Sequence, residues 1–177
     1  VKNIRTASSN SAPYGLTVVG NTLFFRANDG VNGYELWKSD GTADGTVLVK
    51  NIRTNFSSTG SSSSTPNYLT VVGNTLFFSA NDGVNSYELW KSDGTADGTV
   101  LVKDIRPGYS PSSPNYLTAV GNTLFFIAGD GVNGRELWKS DGTADGTVLV
   151  KDIHPGSSGS YPNRLTVVGN TLFFSAN

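Results

Sequence analysis

A string of sixteen residues, Glu-Leu-Trp-Lys-Ser-Asp-Gly-Thr-Ala-Asp-Gly-Thr-Val-Leu-Val-Lys, stands three times without a change, at Glu35 to Lys50, Glu88 to Lys103 and Glu136 to Lys151. A second string, Leu-Thr-Val-Val-Gly-Asn-Thr-Leu-Phe-Phe, begins at Leu16, Leu69 and Leu165, and the copy opening at Leu117 carries Ala119 in place of one Val. The starts are 53, 48 and 48 residues apart, the first interval being longer by a five-residue gain in a Ser-rich stretch around Ser57 to Ser64. A period near fifty is the mark of a repeat architecture, in which each unit hides its apolar faces against its neighbours. The chain divides into a partial repeat over 1–13 (last strand and linker), repeats over 14–67, 68–115 and 116–163, and a partial repeat over 164–177 (first two strands). Because it starts and stops inside the repeat, it reads as a piece of a longer array.

Within one period the pattern predicts four strands. Tyr68 to Val72 and Thr75 to Ala80 flank the turn signal Gly73-Asn74 and read as a hairpin. Tyr87 to Ser92 is a third strand. The two Asp-Gly pairs between Asp93 and Gly98 each supply a turn with positive φ, and Thr99 to Ile105 is the fourth strand. Helix is a poor alternative, since no stretch of eleven or more residues both escapes Gly or Pro and keeps a 3.6-residue periodicity. Leu76-Phe77-Phe78 and Val100-Leu101-Val102 place apolar side chains on both faces of the sheet, so both faces need a cover. Four-stranded units stacked radially meet that need. The expected fold is therefore all-β: a β-propeller, or part of one, built from antiparallel blades of about 48 residues. The Pro- and Ser-rich segments Pro107 to Asn115 and Pro155 to Asn163 become the crossings between blades, where added length costs little.

At Glu-Leu-Trp-Lys-Ser-Asp-Gly-Thr the chain resembles the ELWxxDGT repeat family, also described as hyalin-like, of large exported or surface-attached bacterial proteins. The resemblance covers essentially the whole chain and implies a propeller-like array; it brings no catalytic residues. A fainter similarity links Ser92-Asp93-Gly94-Thr95 to the Asp-box turn of sialidase-type propellers, although the Trp here precedes the turn, at Trp90.

Thirteen basic against fourteen acidic residues leave a formal charge of −1, which gives nucleic acid or an anionic membrane no electrostatic footprint to meet. No apolar run approaches the length of a membrane helix, so membrane insertion is not expected. The absence of Cys removes disulfides and thiolate metal sites from consideration. A composition rich in Gly, Ser, Thr and Asn leans toward an extracellular or cell-surface setting.

Candidate chemistry is sparse. Asp40 with Asp44, Asp93 with Asp97, and Asp141 with Asp145 place carboxylates four residues apart in a tight loop. Ca²⁺ takes six to eight oxygens at about 2.3–2.6 Å, and such a loop offers some of them. Asp side chains that bond their own turn amides account for the same residues without an ion, and this is the favoured reading. The loops Asn28-Asp29-Gly30 and Asn81-Asp82-Gly83, and more weakly Gly129-Asp130-Gly131, are read the same way. Glu35, Glu88 and Glu136 lie in strands that ought to be buried, so each needs a partner: Lys50, Lys103 or Lys151 of the adjoining strand, or backbone amides. Trp37, Trp90 and Trp138, with Phe24, Phe25, Phe77, Phe78, Phe125 and Phe126, are expected to form the core between blades rather than sugar-stacking platforms. His154, the only His, stands where other copies have Arg5, Arg53 and Arg106 and reads as a solvated substitution.

These observations favour a noncatalytic scaffold without a cofactor that associates with copies of itself, or with further repeats of a longer chain, through its blade ends. Extracellular assembly, surface display or adhesion would follow. The alternative is a lectin-like module binding a glycan or Ca²⁺ on one rim, and the weaker third reading is a sialidase-type hydrolase.

Overall fold

The computed structural model describes residues 2–5, 9–54 and 63–177. The fold is all-β. Three four-stranded antiparallel meanders follow one another: β1 (Tyr14–Val19), β2 (Thr22–Asn28), β3 (Tyr34–Ser39) and β4 (Val47–Lys50) form the first. β5 (Asn67–Val72), β6 (Thr75–Asn81), β7 (Tyr87–Ser92) and β8 (Val100–Lys103) form the second. β9 (Asn115–Val120), β10 (Thr123–Gly129), β11 (Arg135–Ser140) and β12 (Val148–Leu149) form the third, and β13 (Asn163–Val168) with β14 (Thr171–Ser175) make a C-terminal hairpin. The first strands are neighbours in space, β1 beside β5, β5 beside β9 and β9 beside β13, so the units stack in chain order.

Register decides which side chains face which neighbour. Antiparallel partners share a face of the sheet. Phe25 pairs with Trp37, Phe78 with Trp90 and Phe126 with Trp138, which gives each sheet an aromatic front. Phe24 pairs with Lys38, Phe77 with Lys91 and Phe125 with Lys139, which gives it a back that is half apolar and half cationic. The second sheet is buried on both faces, between the first and the third. Leu36, Leu76, Leu89, Leu124, Phe78 and Phe126 have no exposed surface.

Two expectations are corrected. The first five residues match Val49–Arg53, yet Lys2–Arg5 form no strand. In the full repeat only Val49 and Lys50 of that segment belong to the fourth strand, with Lys50 paired to Leu36, while 51–53 lie outside any strand as 3–5 do. The fourth strand of the second repeat is also shorter than its apolar pattern, ending at Lys103 before Asp104 and Ile105 turn into the crossing. The Ser-rich insertion lies outside the described residues, apart from Ser63 and Ser64.

Candidate functional site

The feature that recurs in register is the seam between consecutive sheets. At the first seam, Phe24, Leu36, Val49 and Ile52 from the back of the first sheet pack on Leu76, Phe78, Ala80 and Trp90 from the front of the second. At the second seam the equivalent residues meet again: Phe77, Leu89, Val102 and Ile105 on Leu124, Phe126, Ala128 and Trp138. Full burial of side chains of this size contributes roughly 1.5–3 kcal/mol each. Of the aromatic residues expected between sheets, Phe24, Phe77, Phe78, Phe126, Trp90 and Trp138 lie in the two seams, Phe25 and Trp37 pack on the front of the first sheet, and Phe125 is half-buried. Each Trp Nε1 is buried without a hydrogen-bond partner, at Trp37, Trp90 and Trp138 alike. The rings contribute through area, not through their polar edge.

Polar clamps close each seam. Lys38 Nζ donates to the Gly94 carbonyl at 2.8 Å, and Lys91 Nζ donates to the Gly142 carbonyl at the same distance. Lys50 reaches Ala96 and Thr99 carbonyls at 3.0 and 2.8 Å, and Lys103 reaches those of Ala144 and Thr147 at 3.2 and 2.8 Å. Two lysines of one sheet therefore hold a single loop of the next. This overturns Lys50 and Lys103 as partners of the buried glutamates.

The loop that receives them is built from the Asp-Gly-Thr-Ala-Asp-Gly-Thr string. Asp93 Oδ1 accepts from the Thr95 amide and hydroxyl at 2.8 and 2.7 Å, Thr95 Oγ1 accepts from the Gly98 amide at 2.9 Å, and Thr99 Oγ1 donates to the Thr95 carbonyl at 2.6 Å. Asp40 and Asp141 do the same with Thr42 and Thr143. These bonds, led by the Thr hydroxyl, hold the Asp40, Asp93 and Asp141 carboxyls below their usual range. Buried hydroxyl pairs, Ser39 with Thr46, Ser92 with Thr99 and Ser140 with Thr147, lock the loop base at 2.7–2.8 Å. The two glycines serve different ends, against expectation. Gly94 has φ 91°, whereas Gly98 lies outside the left-handed region and is needed because a methyl group there would overlap the Asp93 carboxylate.

Asp44, Asp97 and Asp145 follow in the loop and are exposed. Among the described residues no cluster of three or more His, Asp or Glu side chains is arranged to hold a metal ion. The Asn-Asp-Gly loops are closed on themselves too: Asp29 accepts from the Val31 and Asn32 amides and from Asn32 Nδ2. Asp82 and Asp130 repeat the pattern. For Asp29 and Asp130 burial works to raise the carboxyl, but these donors outweigh it and the net shift is downward. Arg53 and Arg106 lie against Gly83 and Gly131 of the following sheet. His154, their match in the third repeat, is exposed.

Glu35, Glu88 and Glu136 are fully buried, and their partners come from the crossings. Glu88 Oε2 accepts from the Ile105 amide at 3.0 Å and from Ser112 Oγ at 2.5 Å, while Oε1 accepts from the Ser112 amide at 2.8 Å. Glu35 binds Ile52 and Ser64 in the same way, and Glu136 binds Ser160. The carboxylate thus ties both ends of a crossing to the third strand. Burial pushes Glu35 and Glu88 up to about 7 against the pull of these donors, and Asp104 adds to the rise at Glu88. The residue after each serine turns left-handed, at Thr65, Ser113 and Tyr161, and its amide bonds back to Tyr34, Tyr87 or Arg135. The serine carbonyl meanwhile accepts from Asn81, Gly129 or Asn177 of the next unit. Sequence reasoning did not single out these serines. The signal was there: Ser-x-Pro recurs at Ser11, Ser64, Ser112 and Ser160 within crossings that otherwise vary.

No protein-family model, curated protein or solved structure matches the chain.

Proposed function

We propose that the chain is a noncatalytic repeat scaffold, part of a β-propeller whose four-stranded sheets are the blades, and that it assembles through its blade ends. The Glu-Leu-Trp-Lys-Ser-Asp-Gly-Thr string supports membership of the ELWxxDGT family, and with it an exported bacterial protein used in extracellular assembly or adhesion. One observation carries the reading. The polar groups that repeat in register, from Glu88 and Ser112 to Lys91 and Asp93, are spent on joining one sheet to the next or on shaping the joint. An active site needs unlike groups converging on one reacting atom, and two near-identical seams distribute like groups evenly instead.

Light scattering combined with small-angle scattering over a concentration series tests this reading. Particle mass should rise with concentration while the sheets keep their stacking distance. A fixed monomer that turns over a chromogenic glycoside would replace the scaffold with an enzyme.

A further inference from the structure

The two ends of the stack are unequal, and the difference lies in which half of a seam each presents. At the N-terminal end the front of the first sheet carries Phe25, Ala27, Trp37, Leu23 and Leu48, with Ile4 packed on them as Ile52 packs on the second sheet. Lys2 reaches the Thr46 carbonyl at 3.1 Å, as Lys50 reaches Thr99. Among the described residues nothing else covers this front. Leu16 and Val18 are 63% and 62% exposed, although their matches Leu69 and Val71 pack into the first seam. A methyl group on Gly94 would lie 3.0 Å from Phe24 Cζ and one on Gly142 would lie 3.1 Å from Phe77 Cζ, whereas Gly41 has no described neighbour within 4 Å. Over this front runs an apolar groove of about 520 Å³ bounded by Leu16, Val18, Leu23, Phe25, Asp40 and Gly41.

The C-terminal hairpin presents the opposite half. Phe173 matches Phe24 and Phe77 in the repeat, and Val168 matches Val19 and Val72, residues that enter the two seams. On the hairpin they are 57% and 62% exposed.

We infer that the groove over Leu16, Val18 and Gly41 receives the β13–β14 hairpin of a second copy, with Phe173 seated on Gly41 as Phe24 is seated on Gly94. This rests on the scaffold reading and names its surfaces. The contact continues the geometry of the two internal seams, with Phe173 and Val168 supplied by one copy and Lys2 and Ile4 already supplied by the other. It lacks the third-strand pair that Leu36 and Lys38 provide internally, so it is a weaker joint than those within the chain. Because the two surfaces differ, the contact is head-to-tail, and each added copy leaves a fresh groove at one end.

Val18→Asp blocks the groove and Phe173→Asp blocks the hairpin; both positions are exposed, so the melting temperature of each variant should match the parent. In sedimentation velocity the parent should form species larger than a dimer as concentration rises, and each variant alone should remain monomeric. Mixed together, the two variants should form a dimer and stop, because one intact groove meets one intact hairpin. Variants that associate as the parent does would overturn this assignment and leave self-association intact through another surface. A mixture that stays monomeric would overturn the head-to-tail pairing. A parent chain that is monomeric throughout would remove both the inference and the self-association on which it rests.

Discussion

Ser112 Oγ lies 2.5 Å from Glu88 Oε2, a hydroxyl of the crossing held by a carboxylate of a third strand with no exposed surface. The bond ties the crossing between two consecutive sheets to the first of them. It also makes their joint sensitive to pH.

Folded Glu35 and Glu88 titrate near 7, above their ordinary value of 4.5, so between those limits the folded chain holds more protons than the unfolded one. Stability from this source is complete below pH 4.5 and is lost as pH rises through 7. Asp29, Asp40, Asp93, Asp130 and Asp141 act in the other direction: held below 3.8, they stabilise above that pH and cease to do so as it falls. The melting temperature is expected to peak between about pH 4 and 5 and decline toward pH 8, as calorimetry in a pH series would record. Glu88→Gln should flatten the upper limb, at a cost of about 1–3 kcal/mol at pH 5 for a donor left unpaired.

Gly98 and Asp93 are coupled by space. Gly98→Ala is expected to destabilise by about 1–3 kcal/mol through overpacking. In an Asp93→Ala background the same change should cost much less, giving a coupling energy of about 0.5–3 kcal/mol in a double-mutant cycle from urea denaturation. Since the carboxylate serves the turn, adding Ca²⁺ or EDTA should leave the parent midpoint unchanged. A rise of several degrees with Ca²⁺ would restore the cation reading of Asp93 and Asp97.

Lys91 and Lys139 sit in identical local sequence, but Lys91 caps Gly142 while Lys139 is exposed. Lys91→Met should cost about 1–2 kcal/mol, in line with a hydrogen bond to a charged group. Lys139→Met should fall within about 0.5 kcal/mol of the parent, as surface changes do. Equal effects on thermal unfolding would mean that the seam does not draw stability from its lysine.

Trp90 contributes area while its indole N–H finds no acceptor. Trp90→Ala should therefore cost about 3–5 kcal/mol. Trp90→Phe should cost far less than that, because it discards an unpaired donor along with part of the ring. A phenylalanine variant as damaged as the alanine one would reveal a partner for Nε1.

The repeat pattern made the sheet architecture legible because apolar residues on both faces of Leu76-Phe77-Phe78 leave a strand little choice but to be covered twice. The third strand, Tyr87–Ser92, was bounded correctly by its turn residues on either side. Less legible was anything that depends on which sheet a side chain reaches. Lys50 pairs with Leu36 in its own sheet, so proximity in sequence suggested Glu35 as its partner, whereas the long side chain crosses to the next loop. The role of Gly98 was hidden for a similar reason: a glycine needed for room looks the same in sequence as a glycine needed for positive φ. Ser112 was obscured by surroundings rich in serine, and only alignment of the crossings on Ser-x-Pro separates it from its neighbours.

The glutamate tether has a practical corollary. Glu35 grips Ile52 and Ser64, twelve positions apart, in the way that Glu88 grips Ile105 and Ser112, seven apart. The anchor points thus fix both ends of a crossing whether twelve or seven positions separate them. That makes the interval after Arg53 a natural cloning window, where a foreign epitope or reporter peptide can be spliced without altering how the stack is put together.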